Sequence, residues 1–356
     1  MALYPILRPL IFRLDAERAH RLTIAALKLR SGSAFSDEPP RTPSLQSNVA
    51  GLRFLNPVGL AAGFDKNAEV PQQALGLGFG FVEVGTLTPS PQSGNPQPRL
   101  FRLEEDRAVI NRMGFNNEGQ EAAIERLRTM ARGTTVSSNP GVIGVNIGAN
   151  KDSPDRIADY VVGVRAMAPF ADYLTVNISS PNTPGLRNLQ TGGELAELLA
   201  AVANARVEAG VRDRAPPIFL KVAPDLADGD HERIVRAVIA HGIDGLIVAN
   251  TTVSRPPLAS GYAGEQGGLS GAPLGDLALR QLKIFRSVVG RDLPLIAVGG
   301  IASADDAWAR IRAGASLVQL YSALVYEGPG LARRIVKGLA ERLAREGFAN
   351  IADAVG

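Results

Sequence analysis

Residues 173–187 read YLTVNISSPNTPGLR. The run Tyr173-Leu174-Thr175-Val176 has the length and apolar content of a buried strand. It passes directly into two amides (Asn177, Asn182) and three hydroxyls (Ser179, Ser180, Thr183) set around Pro181 and Pro184. Proline fixes φ, so these polar groups are held rather than mobile. A stiff cluster of neutral donors and acceptors at a strand end suits a small polar ligand. The competing reading is a turn in which Ser and Asn satisfy their own backbone.

Outward from this stretch the pattern repeats. Apolar runs recur at 58–62, 79–86, 141–147, 218–222, 245–250, 295–298 and 317–321, and helical spacing occupies 123–130, 155–168, 195–207, 232–240, 277–289, 304–313 and 331–344. Eight such runs alternating with helices predict an α/β fold, a closed parallel (β/α)8 or TIM barrel, with an open doubly wound sheet as the alternative. An extra β-hairpin is predicted over 98–111, where Leu100-Phe101-Arg102 and Ala108-Val109-Ile110 flank an acidic turn.

Active-site groups of such barrels lie at the carboxyl ends of the strands. Those ends carry Ala62-Gly63-Phe64-Asp65-Lys66, Thr86, Asn146, Asn177 to Ser180, Lys221, Asn250-Thr251, Gly299-Gly300 and Tyr321-Ser322. One polar residue there is turn chemistry; a ring of them points to a ligand. The segments 267–271, 298–301 and 321–322, after strands six, seven and eight, predict a phosphate site, because glycine lets backbone N–H groups close around an anion. No GxGxxG follows the first strand, so a Rossmann dinucleotide site is not indicated. A phosphate, a neutral polar ring and a lysine fit flavin mononucleotide, with Lys221 placed to stabilise negative charge on the reduced ring. Pyridoxal phosphate, which also needs a lysine and a phosphate loop, is the rival.

At 356 residues, 45% hydrophobic and 21% charged, the composition is that of a globular protein with a large core. The absence of cysteine excludes disulfides, thiolate metal sites, iron–sulfur clusters and a cysteine nucleophile. His20, His231 and His241 fall on no predicted strand end, so neither a histidine triad nor a metal site is expected. The charge is uneven. Arg8, Arg13, Arg18, Arg21, Lys28 and Arg30 face only Asp15 and Glu17 within residues 1–35, whereas the whole chain is +3. The remainder is close to neutral, which argues against a nucleic-acid surface. The same segment spaces Leu3, Ile6, Leu7, Leu10, Ile11 and Leu14, then Ala19, Leu22, Ala26 and Leu29, helically. A basic amphipathic pair of helices predicts a hairpin lying on a membrane surface; packing on the main domain is the alternative. Pro5 and Pro9 keep the first helix short. No apolar run reaches the ~18 residues of a membrane span, and no signal peptide is evident. A Pro/Ser-rich stretch over 36–47 divides residues 1–38 from a barrel domain over 39–356.

The strings Asn111-Arg112-Met113-Gly114-Phe115-Asn116-Asn117 and NISSPNTPGLR, with segments 54–66, 220–225, 250–252, 267–271 and 298–301, resemble the dihydroorotate dehydrogenases, specifically the membrane-associated, quinone-dependent class. The likeness covers nearly the whole chain. It implies an FMN enzyme that oxidises dihydroorotate to orotate in pyrimidine synthesis and passes the electrons to ubiquinone or menaquinone. Carried over by position, Ser180 resembles the catalytic base, and Thr183 and Phe115 the residues that pass its proton outward. Lys66, Asn111, Arg112, Met113, Gly114, Phe115, Asn177, Asn182, Asn250 and Thr251 resemble the substrate-binding set. Ala62, Gly63, Phe64, Asp65, Lys66, Thr86, Asn146, Asn177, Lys221, Gly271, Gly300, Tyr321 and Ser322 resemble the FMN-binding set. The soluble class uses cysteine as base, which this chain lacks. No histidine is expected to activate Ser180, so a hydroxyl relay through Thr183 is implied. The family's N-terminal hairpin forms a quinone tunnel, which implies peripheral attachment to the cytoplasmic face of a bacterial inner membrane, as a monomer or weak oligomer. Two departures stand out: Ala249 replaces the usual Ser or Thr, with loss of a hydroxyl to the cofactor, and Ala272 replaces a frequent Arg on what is expected to be the helix side.

Overall fold

A computed structural model describes residues 4–29, 42–133, 141–190, 193–209 and 215–356. The boundary expected at 38/39 lies outside the described residues. The chain begins with helices α1 (Tyr4–Phe12) and α2 (Ala16–Lys28) and a small antiparallel pair, β1 (Ser47–Val49) and β2 (Leu52–Phe54). Next come β3 (Val58–Leu60), α3 (Pro71–Leu75), β4 (Phe81–Leu87) and a hairpin of β5 (Leu100–Leu103) and β6 (Ala108–Asn111). The alternation continues through α4 (Gly119–Gly133), β7 (Val142–Ile147), α5 (Arg156–Met167), β8 (Tyr173–Asn177), α6 (Gly193–Glu208), β9 (Ile218–Val222), α7 (Asp230–Ala240) and β10 (Gly245–Val248). It ends with β11 (Gly268–Gly271), α8 (Gly275–Val289), β12 (Leu295–Val298), α9 (Ala304–Arg312), β13 (Leu317–Leu320), α10 (Ala323–Glu327) and α11 (Leu331–Arg345).

Strands β3, β4, β7, β8, β9, β10, β12 and β13 pair in that order and close into a parallel barrel. The open-sheet alternative is thereby excluded, and each barrel strand occupies one of the eight apolar runs. Closure depends on filling the interior. At the amino-terminal end three rings do so: Phe81, Tyr173 and Phe219 each lie beside a glycine directly paired with them, Gly59, Gly144 and Gly245. A Cβ at those glycines would sit 2.2, 2.0 and 2.6 Å from the ring it faces. The rings meet edge to face at 6.4 and 5.4 Å, and Phe54 of β2 joins at 5.2 Å. Such pairs contribute about 0.5–1.5 kcal/mol each beyond area burial. The β1–β2 pair therefore closes the barrel floor, an element that short, half-exposed strands did not announce in the sequence.

The predicted hairpin of β5 and β6 is present but gains a third strand. β11 pairs antiparallel with β6, Leu269 opposite Ile110. The glycine-rich stretch expected to be a phosphate loop over 267–271 is thus largely an edge strand, from which Ser270 and Gly271 reach the cavity. Helices α1 and α2 are docked, not free. Arg99 donates to Glu17 at 2.6 Å, Arg21 to Glu69 at 2.6 Å, and Lys28 also reaches Glu69. Burial raises the Glu69 carboxyl's proton affinity, but hydrogen bonds from Arg21 and Lys28 prevail and hold its pKa at about 2. Arg102 donates to the Phe12 carbonyl at 3.0 Å, and the Tyr4 hydroxyl to the Val325 carbonyl at 2.5 Å. The hairpin packs on the barrel, the reading given as the alternative, while α1 buries no residue. Among the described residues no helix is long and apolar enough to cross a membrane.

Candidate active site

One cavity of about 640 Å³ spans the carboxyl ends of the barrel strands and continues beneath the α1–α2 hairpin. Its lower part is polar. Thr86, Asn177, Lys221, Asn250 and Thr251 line it from β4, β8, β9 and the loop after β10, together with Ala62, Gly63 and Lys66 after β3. Asn177 donates to Thr86 Oγ1 at 3.0 Å and to Asn146 Oδ1 at 3.1 Å, and Thr86 donates to the same Asn146 oxygen at 2.6 Å. These side chains are tied in place before any ligand arrives, which is what precise positioning requires. Thr251 Oγ1 is buried without a hydrogen-bond partner, a polar atom left for a ligand.

The two serines after β8 have different environments. Ser179 is fully buried; it donates to Asn177 Oδ1 at 2.7 Å and accepts from Asn250 Nδ2 at 2.8 Å. Ser180 lines the cavity, and among the described residues its hydroxyl accepts only the Asn182 N–H at 3.2 Å. Thr183 Oγ1 lies buried without a partner. Arg187 pins the loop, donating to the Ser179 carbonyl at 3.0 Å, the Thr251 carbonyl at 3.0 Å and Asp225 at 2.9 Å. Opposite, Asn182 donates to Asn111 Oδ1 at 3.2 Å. Gln92 holds the carbonyls of Gly114 and Phe115 at 3.1 Å each, and Asn117 donates to the latter at 2.7 Å. Phe115 keeps a left-handed backbone, φ +53°, uncommon for a bulky residue and typical of functional loops.

Lys66 is the cation of this wall. Burial pushes its pKa down to about 8, against the pull of Glu17. On the far wall, Gly271, Gly300, Tyr321 and Ser322 line the cavity. Gly300 has φ +67°, and a Cβ there would lie 2.2 Å from the Gly275 Cα. Only glycine lets these two loops meet, leaving backbone exposed to a phosphate. Ser270 and Ser322 hydroxyls sit 2.7 Å apart at this end.

The upper part of the cavity is apolar and belongs to the hairpin. Ala16, Ala19, Thr23 and Ala26 of α2 line it with His20, Phe12, Phe64 and Tyr321. The His20 ring packs on Phe64 at 5.5 Å and Tyr321 at 6.3 Å. Burial, with Lys66 and Arg21 adding, pushes its pKa down to about 4, so it is neutral at pH 7. Arg102 also faces this space.

Most residues expected from sequence line the cavity; four do not. Asp65 turns inward and accepts the Glu69 and Val70 N–H groups at 2.8 Å each, so it shapes the loop instead of touching a ligand. Arg112 points outward to Glu265 at 2.7 Å and stacks on Phe101. Asn146 lies below the floor, between Glu83 and the Thr86–Asn177 pair, and Thr183 is buried outside the cavity lining. Ala272 lines the cavity rather than a helix packing face. Sequence reasoning missed His20 and Arg102, and had Ser270 only as part of the 267–271 segment. The signal for His20 was the stripe of small residues around it on α2, which leaves room for a ligand.

Residues 44–343 match the dihydroorotate dehydrogenase family profile. The chain is 61% identical to the dihydroorotate dehydrogenase (quinone) of Novosphingobium aromaticivorans, over 100% of this chain and 99% of that one. It is 60% identical to the enzyme of the same name from Erythrobacter litoralis, over 99% of each. A DHODH from Eimeria tenella, solved in complex with ferulenol, superposes with a TM-score of 0.92 at 41% identity, covering 96% of this chain and 95% of that one.

Proposed function

The chain belongs to the dihydroorotate dehydrogenase family, and from that premise we propose that it oxidises dihydroorotate to orotate, with FMN in the barrel mouth and a membrane quinone as final acceptor. One observation carries the reading. A single cavity joins the polar ring of strand ends to the apolar space under the hairpin, so a polar substrate and a lipophilic acceptor can reach opposite sides of one cofactor.

The residues present fit that cofactor. The glycine-lined wall with Ser322 would take the phosphate, the Thr86, Asn177 and Lys221 floor the ring, and Tyr321 the side toward the hairpin. Bound there, FMN supplies hydride acceptance from C6 of the substrate and onward electron transfer to quinone. The protein supplies the rest. Asn111, Asn177, Asn182 and Asn250 offer amides matched to the uracil-like edge, and Lys66 offers an ammonium to the carboxylate. Ser180 would take the C5 proton as its own hydroxyl proton leaves through a bridging water and Thr183, whose hydroxyl has no competing partner among the described residues, and from there to solvent. His20 and Tyr321 border the quinone side. Residues 1–35 place the enzyme on the membrane surface, which we infer to be the cytoplasmic face of a bacterial inner membrane.

The test is an anaerobic spectral titration of the purified protein. A flavin band that bleaches with dihydroorotate and recovers with a short-chain quinone is expected. Recovery only with fumarate or NAD would overturn the acceptor, and absence of a flavin that FMN cannot restore would overturn the reading.

A further inference from the structure

Beneath the cavity floor lies a buried carboxylate to which the reaction above gives no role. Glu83 projects from the middle of β4 into the barrel and is 1% exposed. Below it is the aromatic plug; above it is the ring of strand-end amides. Three donors converge on it: Asn146 Nδ2 reaches Oε1 at 2.7 Å, and Gln319 Nε2 and the Tyr173 hydroxyl reach Oε2 at 2.8 and 3.0 Å. Three donors on two oxygens suit an acceptor-only group, which a carboxylate is and a carboxamide is not. A charge in so dry a place is costly unless it meets another.

The buried cation of the next layer is Lys221, 4% exposed on β9; it makes no direct ion pair with Glu83 but is joined to it through Asn146 and Asn177, the latter directly opposite it in register. Burial draws its proton affinity down, and Glu83 is the group that draws it back. Glu83 also acts through Asn146. By holding that amide's nitrogen it turns Oδ1 upward, where it accepts from Thr86 and Asn177. One carboxylate thus settles the direction of every hydrogen bond in this part of the floor.

We propose that Glu83 is a positioning residue: it supplies the buried counter-charge that keeps Lys221 an ammonium and orients the Asn146–Asn177 amides, so that the floor presents positive charge to the cofactor. The proposal rests on the flavin reading above. Its consequence is electrochemical. Negative charge that reduction adds to the ring is stabilised by Lys221 only while the lysine is charged.

Glu83→Gln keeps the shape and removes the charge. At pH 8 the equilibrium constant for two-electron reduction of the bound flavin is expected to fall tenfold or more, about 30 mV in midpoint potential, measured against reference dyes. In a Lys221→Met background the same substitution should leave the potential unchanged, whereas a merely structural role would shift both backgrounds alike. An unchanged or raised potential in Glu83→Gln, or a shift that persists without Lys221, overturns the proposal. A second measurement uses the flavin-free protein. Removing one partner of a buried pair destabilises, and removing both restores. The melting temperature of Glu83→Gln with Lys221→Met is therefore expected above that of Glu83→Gln alone, even if the single variant does not fold. A double variant no more stable than the single one overturns the coupling. This second cycle decides the matter even if the wild-type protein binds no flavin, an outcome that would defeat the functional reading instead.

Discussion

Ser179 and Ser180 are adjacent hydroxyls of the same chemical type, and only packing separates them. Ser179 is occupied by Asn177 and Asn250, whereas Ser180 faces the cavity. Ser180→Ala should slow flavin reduction by dihydroorotate by ~10²–10⁴ while flavin binding persists; stopped-flow reduction near the wild-type rate would place the base elsewhere. The residue scale also sets a pH dependence. Lys66 has a folded pKa of about 8 against 10.5 for the free side chain. Between those values the unfolded chain holds a proton that the folded, ligand-free protein has released, so stability rises with pH across that window. Below about 8 both states are protonated and the burial penalty is constant. Melting temperatures of wild type relative to Lys66→Met should show this rise, and a flat difference would sink it. A bound carboxylate favours the charged form, so orotate should bind more weakly as pH climbs above 8, by up to about tenfold per pH unit. At this scale the ring of Asn, Thr and Lys was legible because strand ends announce themselves. The outward turn of Arg112 was not, since it depends on Glu265, over 150 residues away in sequence.

Among the elements, the barrel strands were readable from apolar runs bounded by turn residues, because strands buried on both faces carry continuous hydrophobic sequence. β1, β2 and β11 escaped notice. Each is three or four residues long, too short for a period to show, and β11 owes its strand form to its partner β6. The α1–α2 hairpin was legible as amphipathic helices, but not its attachment. Three of the seven charged residues among its described positions are committed inward: Glu17 to Arg99, and Arg21 and Lys28 to Glu69. Deleting residues 1–35 should therefore cut quinone reduction by about 10²-fold or more and leave flavin reduction by dihydroorotate largely intact. Equal loss of both half-reactions in rapid-mixing experiments would make the hairpin a structural brace only.

For the whole molecule, we propose that the exposed face of α1 sets the orientation on a membrane surface. Ile6 is 70% exposed and Leu10 58%, on the same helix as Ile11 and Phe12, which line the cavity. Each such side chain contributes at most ~1.5–3 kcal/mol on burial in lipid. Ile6→Glu with Leu10→Glu should lower partitioning onto phospholipid vesicles at least tenfold, with dihydroorotate-driven flavin reduction unchanged; undiminished co-sedimentation would place the contact elsewhere. The sequence by itself determined the barrel, the strand-end ligand ring and the amphipathic start of the chain, because these follow from local periodicity and residue type. Only the tertiary structure decided that Ser179 is tied up by amides while Ser180 lines the cavity, that His20 enters the same cavity as the barrel residues, and that Glu83 holds Asn146 from below. Those facts arise from closure of the barrel, which brings together side chains far apart in the chain, and no local pattern encodes that meeting.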